Sequence, residues 1–173
     1  METSEHRWLN DTEMRAWAGF LETYQLLHRL VDRQLRDDGE VTQVQYEILT
    51  RLNESPGLRL RMTELADRMV CSRSGLTYQV TQLEKAGLLW RQTDAQDERG
   101  VLAILTDAGR EVLDRTAPGH LATVRGGFLD VLTEEQIAQL ADIFDTARAH
   151  LGGIDGLCYG TTAGAKRPAG PPE

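Results

Sequence analysis

The stretch TELADRMVCSRSGLTYQVTQLEKAGLLWRQTDAQDERGVLAILT, residues 63–106, decides how this chain folds. Its first half has a helical period and its second half does not. Thr63 stands as the cap of a short helix reaching Met69, with Leu65, Ala66 and Met69 turned inward. After a tight connection, Ser72 caps a second helix that runs to Ala86, and Gly87 stands where a helix C-terminus takes a glycine. Leu76, Val80 and Leu83 recur on one face of that second helix. Residues 88–93 and 100–105 then read as two short strands, with the polar run from Asp94 to Arg99 as the hairpin loop between them. The order is a helix-turn-helix followed by a wing.

Long helices flank this core. Upstream, Met14, Trp17, Leu21, Tyr24, Leu27, Val31 and Leu35 recur at steps of three and four, with Asn10 as cap and Glu13 three residues on. Asp38-Gly39 ends that helix. Thr42 and Gln45 have capping-box spacing at the start of the next, which carries Tyr46, Leu49 and Leu52 and stops at Ser55-Pro56-Gly57. Downstream, Thr106 caps a helix reaching about Val131, which Pro118-Gly119 should interrupt and kink. Thr133 and Gln136 open a last helix with the stripe Ile137, Leu140, Phe144, Ala147 and Leu151. The fold class is therefore mainly α with a small β-hairpin wing. A winged helix-turn-helix domain is expected over residues 41–106, and a separate helical region over 10–37 and 107–151. Residues 152–173 hold six glycines and three prolines with few large apolar groups, and read as a disordered tail.

Composition narrows the function. With 27 acidic and 19 basic residues, the net charge of −8 argues against a nonspecific nucleic-acid coat, which would be basic throughout. Residues 58–99 carry seven basic and six acidic groups, so the acidity lies elsewhere and a local DNA-facing patch is permitted. Cys71 and Cys158 are far apart and form no C-x-x-C pair, so neither a zinc site nor a disulfide framework is implied. The polar N-terminus does not read as a signal peptide, and no apolar run approaches the roughly 20 residues that span a bilayer. A cytoplasmic protein is expected. The motifs H-E-x-x-H, G-x-S-x-G and G-x-x-x-x-G-K-[ST] are absent, and His6, His28, His120 and His150 lack ligand spacing, so no enzyme, metal or cofactor is expected.

A B-form major groove is about 12 Å wide and admits one helix that buries one face on its own domain and presents the other. Opposite Leu76, Val80 and Leu83 stand Arg73, Ser74, Thr77, Tyr78, Thr81 and Lys85, an arginine with short donors and acceptors suited to base edges and phosphates. Ser72 as cap leaves neighbouring amides for a phosphate. The same face is equally an ordinary solvated one. Arg99, near the hairpin tip, suits a narrow, negative minor groove, and Asp97 can orient it. The alternative there is a solvated turn with a surface ion pair, worth about 0–1 kcal/mol. A winged helix can also dock proteins, but such a surface would tend to place large apolar groups where this one is polar.

These residues carry a family resemblance. Thr63-Glu-Leu-Ala-Asp, Ser72-Arg-Ser-Gly-Leu-Thr, Leu83-Glu-Lys-Ala-Gly-Leu-Leu, Asp94-Ala-Gln-Asp-Glu-Arg-Gly and Leu105-Thr-Asp-Ala-Gly together resemble the MarR family of bacterial transcriptional regulators, and with the flanking helices the likeness spans about residues 10–151. The resemblance implies a homodimer built from the first and last helices, gripping a pseudo-palindromic double-stranded DNA operator, with repression as the default. It carries the recognition role onto Arg73, Ser74, Thr77, Tyr78 and Thr81, and the wing role onto Arg99 and Asp97. Gly75 departs from good helix chemistry, by about 1 kcal/mol relative to alanine. Family members commonly respond to small aromatic or phenolic effectors held between the dimer helices and the winged domain. Trp17, Phe20, Tyr24, His28, Tyr46 and His120 stand as candidates for such a pocket, although aromatics at helical spacing are more often core. Neither cysteine aligns with the family's N-terminal redox cysteine. Cys71, before the recognition helix, reads as a structural thiol.

Overall fold

The computed structural model describes residues 7–69, 73–95 and 97–152, with the backbone alone at 73, 98 and 99. Six helices and a three-stranded sheet follow in the order α1 (Asp11–Gly39), α2 (Gln43–Asn53), β1 (Arg59–Arg61), α3 (Met62–Arg68), α4 (Arg73–Lys85), β2 (Leu89–Asp94), β3 (Asp97–Leu105), α5 (Asp107–Gly127) and α6 (Glu134–Gly152). Short 3-10 turns lie at Pro56–Leu58 and Leu129–Val131. The mainly helical class with a β wing is as the sequence implies.

The capping chemistry acts where the sequence puts it. Asn10 accepts from Glu13 N at 2.9 Å while the Glu13 carboxylate accepts from Asn10 N. The reciprocal box recurs at Thr42/Gln45 and Thr133/Gln136. These bonds satisfy amides that a helix start otherwise leaves unpaired. Gly87 has φ +74°, as a C-terminal glycine should.

Four expectations need correction. The helix α3 starts at Met62, so Thr63 lies inside its first turn and does not cap it. The Glu64 carboxylate accepts from Arg61 N at 3.3 Å, and the chain passes straight from strand into helix. That strand, β1, is itself unexpected. It pairs antiparallel with β3, Leu60 opposite Ala103, giving the sheet order β1-β3-β2. The hairpin is also tighter than its polar sequence suggests. Asp94 pairs with Asp97 across a register shift, which puts Arg99 within β3 and not in a loop. Backbone pairing asks nothing of side-chain polarity when a strand's outer face meets water. Finally, α5 runs through Pro118 without interruption and ends at Gly127. Pro118 removes one amide donor, but α5 packs along α1 on both sides of it. Gln34 Nε2 reaches from α1 to the Thr116 carbonyl at 3.4 Å.

A single core joins these elements. Val31 and Leu35 of α1, Ile48, Leu49 and Leu52 of α2, Leu65 of α3, Leu76, Val80 and Leu83 of α4, Leu89, Ala103 and Leu105 of the sheet, and Val112 and Leu113 of α5 are all buried together. Fully burying each large aliphatic side chain contributes about 1.5–3 kcal/mol, so the winged unit is held against α1 and α5 as one body. In contrast, α6 has no buried residue in the single chain. Among the described residues, no helix is long and apolar enough to cross a membrane.

Candidate nucleic-acid interface

The amphipathic split of α4 is the centre of the candidate site. Leu76 and Val80 are at most 1% exposed, and Leu83 likewise, whereas Ser74 and Thr77 are exposed and Tyr78 is 62% exposed. Thr81 is part-buried, and its hydroxyl donates to the Thr77 carbonyl at 2.8 Å, a back-bond that uses its proton and leaves the oxygen to accept. The backbone of Arg73 forms the first residue of α4. Its side chain lies outside the described residues, as do Ser72, Cys71, Cys158 and the expected tail from 153 onward. The candidate recognition residues Ser74, Thr77, Tyr78 and Thr81 therefore stand on one helix, opposite its buried side.

A clamp fixes the hairpin to this helix. Arg91 of β2 donates to Glu84 of α4 from its backbone N (2.9 Å), Nε (2.9 Å) and a terminal guanidinium nitrogen (2.5 Å). The Arg91 guanidinium holds the Glu84 carboxyl below the usual glutamate range, outweighing the cost of its burial. Arg91, one of the cations of the sequence patch, is thus committed within the protein. Thr106 closes the far end of the hairpin. Its hydroxyl donates to the Gly87 carbonyl at 2.8 Å and accepts from Gly109 N at 3.1 Å.

Higher up the wing, Asp97 is exposed, and its Oδ2 lies 3.6 Å from an Arg61 guanidinium nitrogen. Arg61 also pairs with Asp94 at 2.6 Å. Neither Arg61 nor Asp94 was singled out by the sequence. Arg61 belongs to a strand of three residues, too short to show a period, and only tertiary pairing carries it to the wing. The Arg99 backbone lies two residues into β3, and its side chain is outside the described residues.

The six aromatic candidates fall into separate groups. Trp17 and Phe20 are stacked with centroids 6.0 Å apart, and Phe20 meets Phe144 of α6 edge-on at 6.3 Å. Tyr24 stacks on His28 at 5.8 Å, and Tyr46 of α2 faces His120 of α5 at 4.9 Å. Trp17, Phe20 and Tyr24 are about half exposed, while His28, Tyr46 and His120 are part-buried. Burial lowers the pKa of His120. It raises that of Tyr46, an effect partly offset by hydrogen bonding with Thr116 and Thr50. A shallow apolar cleft on another side of α1, lined by Thr23, Leu26, Leu27, Leu30 and Gly127, contains none of the six.

The MarR family model matches residues 41–101, the stretch from α2 to the wing. Over the whole fold, the chain superposes on Sco3205, a MarR family transcriptional regulator from Streptomyces coelicolor solved in complex with DNA. The TM-score is 0.85 at 42% identity, covering 91% of this chain and 99% of that one. The chain belongs to the MarR family. It is a transcriptional regulator, of a family of DNA-binding proteins and not of enzymes. Two relatives from Bacillus subtilis (strain 168) are matched over shorter stretches. The HTH-type transcriptional regulator YkoM is 33% identical over 44% of this MarR chain and 49% of its own length. The HTH-type transcriptional repressor MdtR is 31% identical over 60% of this chain and 64% of its own. The chain thus spans about half to two thirds of these two relatives.

Proposed function

We propose that this MarR chain is a repressor that binds a pseudo-palindromic operator as a homodimer. In this reading α4 enters the major groove, and the β2–β3 hairpin reaches the adjacent minor groove. The observation that carries it is the division of α4, with three aliphatic side chains sealed in the core behind Ser74, Thr77, Tyr78 and Thr81. Arg73, Ser74, Thr77, Tyr78 and Thr81 read bases and phosphates, Ser72 leaves helix-start amides for a phosphate, and Arg99 with Asp97 serves the wing. Residues 41–106 form the DNA-binding domain, 10–37 and 107–151 the dimerisation region, and 152–173 a tail. The DNA-bound state of Sco3205 and the repressor role of MdtR support the reading by likeness.

A small aromatic or phenolic effector fits the same reading. His120 Nδ1 and His28 Nδ1 are buried without a protein hydrogen-bond partner; the His120 ring faces Tyr46 between α5 and the winged domain, and the His28 ring stacks on Tyr24 along α1. A buried unpaired nitrogen costs about 1–3 kcal/mol, which a hydroxyl-bearing ligand or a water would recover.

Operator titrations at several salt concentrations test the DNA reading. Arg99→Ala should weaken binding and make the salt dependence shallower by about one unit of slope. Thr77→Ala should instead change which bases are tolerated, at about 1–3 kcal/mol per disturbed contact. Wild-type behaviour in both variants would remove the proposed groove assignments.

A further inference from the structure

The hairpin stands on a support that neither the recognition helix nor the wing tip supplies. Arg61 leaves the outer strand β1, crosses the central strand β3 and reaches the end of the other outer strand, β2. One terminal nitrogen lies 2.6 Å from Asp94 Oδ2, and the other lies 3.6 Å from Asp97 Oδ2. Asp94 is 9% exposed, so its end of the pair is shielded from the solvent that weakens most surface ion pairs, while the Arg61 side chain stays 38% exposed. Gly100, directly across the hairpin, leaves room for it. A Cβ there would sit 3.1 Å from both Asp94 Cβ and the Asp97 carbonyl oxygen. The register shift at Thr93/Asp94 falls at the same level and turns Asp94 out of the regular ladder.

An isolated two-stranded hairpin is marginal in water. Below Leu102 this one is braced by β1, whose last residue, Arg61, pairs with Leu102. Beyond that row β1 pairs no further, and the Arg61 side chain carries a contact on toward Asp94 and Asp97.

We propose that Arg61, held by Asp94 and Asp97, is a positioning residue that sets the stance of the wing and thereby delivers the β3 segment at Arg99 to the minor groove. The proposal rests on the minor-groove reading above, so its test has to separate the two. The variants are Asp94→Asn, Arg61→Gln, Arg61→Lys and Arg99→Ala in the full chain. Each is followed by operator titration against salt and by hydroxyl-radical footprinting of the operator, with thermal unfolding of the free protein to confirm folding.

Asp94→Asn removes no cation. If the pin positions the wing, this variant still loses the flanking minor-groove protection, flattens the salt slope by about 1 as Arg99→Ala does, and weakens binding about tenfold, the worth of one charge-assisted hydrogen bond. Arg61→Gln should match it, and Arg61→Lys, which keeps the charge without the fork, should recover part of the loss. If Asp94→Asn binds as well as or better than wild type while Arg61→Gln is weakened, Arg61 is a direct phosphate contact and the positioning role is overturned. Loss of flank protection in Arg99→Ala, with wild-type footprints and slopes in both pin variants, would leave the wing reading intact and remove the pin. Retained flank protection in Arg99→Ala would overturn the wing reading itself, and the pin with it.

Discussion

His120 illustrates how burial governs a single residue. Its ring packs 4.9 Å from Tyr46, and burial holds its pKa below the usual histidine value, near 6.5. The unfolded chain therefore binds a proton there before the folded one does. Stability from this group is full above pH ~6.5 and falls as pH drops through that value toward the lowered folded pKa. Urea unfolding at pH 7.5 and 5.5 should show wild type losing more stability on acidification than His120→Gln. Equal losses in the two proteins would mean that burial at this position does not penalise the charged ring. Asp32 reaches the same sense from the opposite cause, because its charged form is the favoured one. Its burial would raise the pKa, but hydrogen bonds from Arg36 and from the Gln43 amide prevail and lower it, so its contribution disappears only in more acidic solution. Thr81 shows a limit of reading residues one at a time. Its hydroxyl is an apparent base-reading donor in sequence, yet in the fold that proton is directed at the Thr77 carbonyl.

Among the elements, the start of α5 is the most tightly constrained. It enters over the base of β2, where Thr106 N donates to the Leu88 carbonyl at 3.2 Å. One turn later a Cβ on Gly109 would collide with that same Leu88 carbonyl and with the Leu105 side chain. Backbone cannot swing aside as a side-chain tip can. Gly109→Ala should therefore destabilise by about 1–3 kcal/mol, although alanine is the better helix former. Chemical denaturation would show this as a lower midpoint, and an unchanged or higher midpoint would mean that α5 can lift from the sheet at no cost. The same element explains the uninterrupted passage through Pro118. Contacts with α1 lie on both sides of it, Gly39 against Val112 and Thr116 before it and Gly127 against Leu30 after it.

At the scale of the whole molecule, apolar surface is distributed unevenly. The winged unit exposes Tyr78, Trp90 and Val101, and Met14, Trp17, Phe20 and Tyr24 of α1 and Ile137, Ile143, Phe144 and Leu151 of α6 remain between about a third and two thirds exposed. Exposed apolar side chains on two helices that meet at Phe20 and Phe144 suit an interaction surface, and a second copy is the partner the proposed function requires. Sedimentation should give about twice the 19.4 kDa chain mass. Phe144→Glu should shift the species toward monomer and weaken operator binding together, while truncation after Leu151 should leave both unchanged. A monomeric wild type with tight operator binding would exclude the dimer. Lost affinity on truncation would show that residues beyond 151 contribute.

What the sequence by itself determined is what depends on near neighbours. Caps at Asn10, Thr42 and Thr106, the C-terminal glycine at 87, and the division of α4 into Leu76/Val80/Leu83 and the opposite polar face all arise from spacings of three or four residues, which local hydrogen bonds and side-chain burial read directly. The family resemblance rests on the same local segments. Only the tertiary structure decided the rest. A strand of three residues has no period to detect, and β1 exists because β3 offers it a partner 41 residues away, Arg61 against Leu102. The hairpin run is polar in sequence but paired in the fold from Asp97 onward, because the opposite strand satisfies its backbone. Arg61 reaches Asp94, and Arg91 is committed to Glu84, only once the sheet is assembled against the helices. Such ion pairs depend on where folded elements place distant charges, and the linear spacing of those charges carries no trace of them.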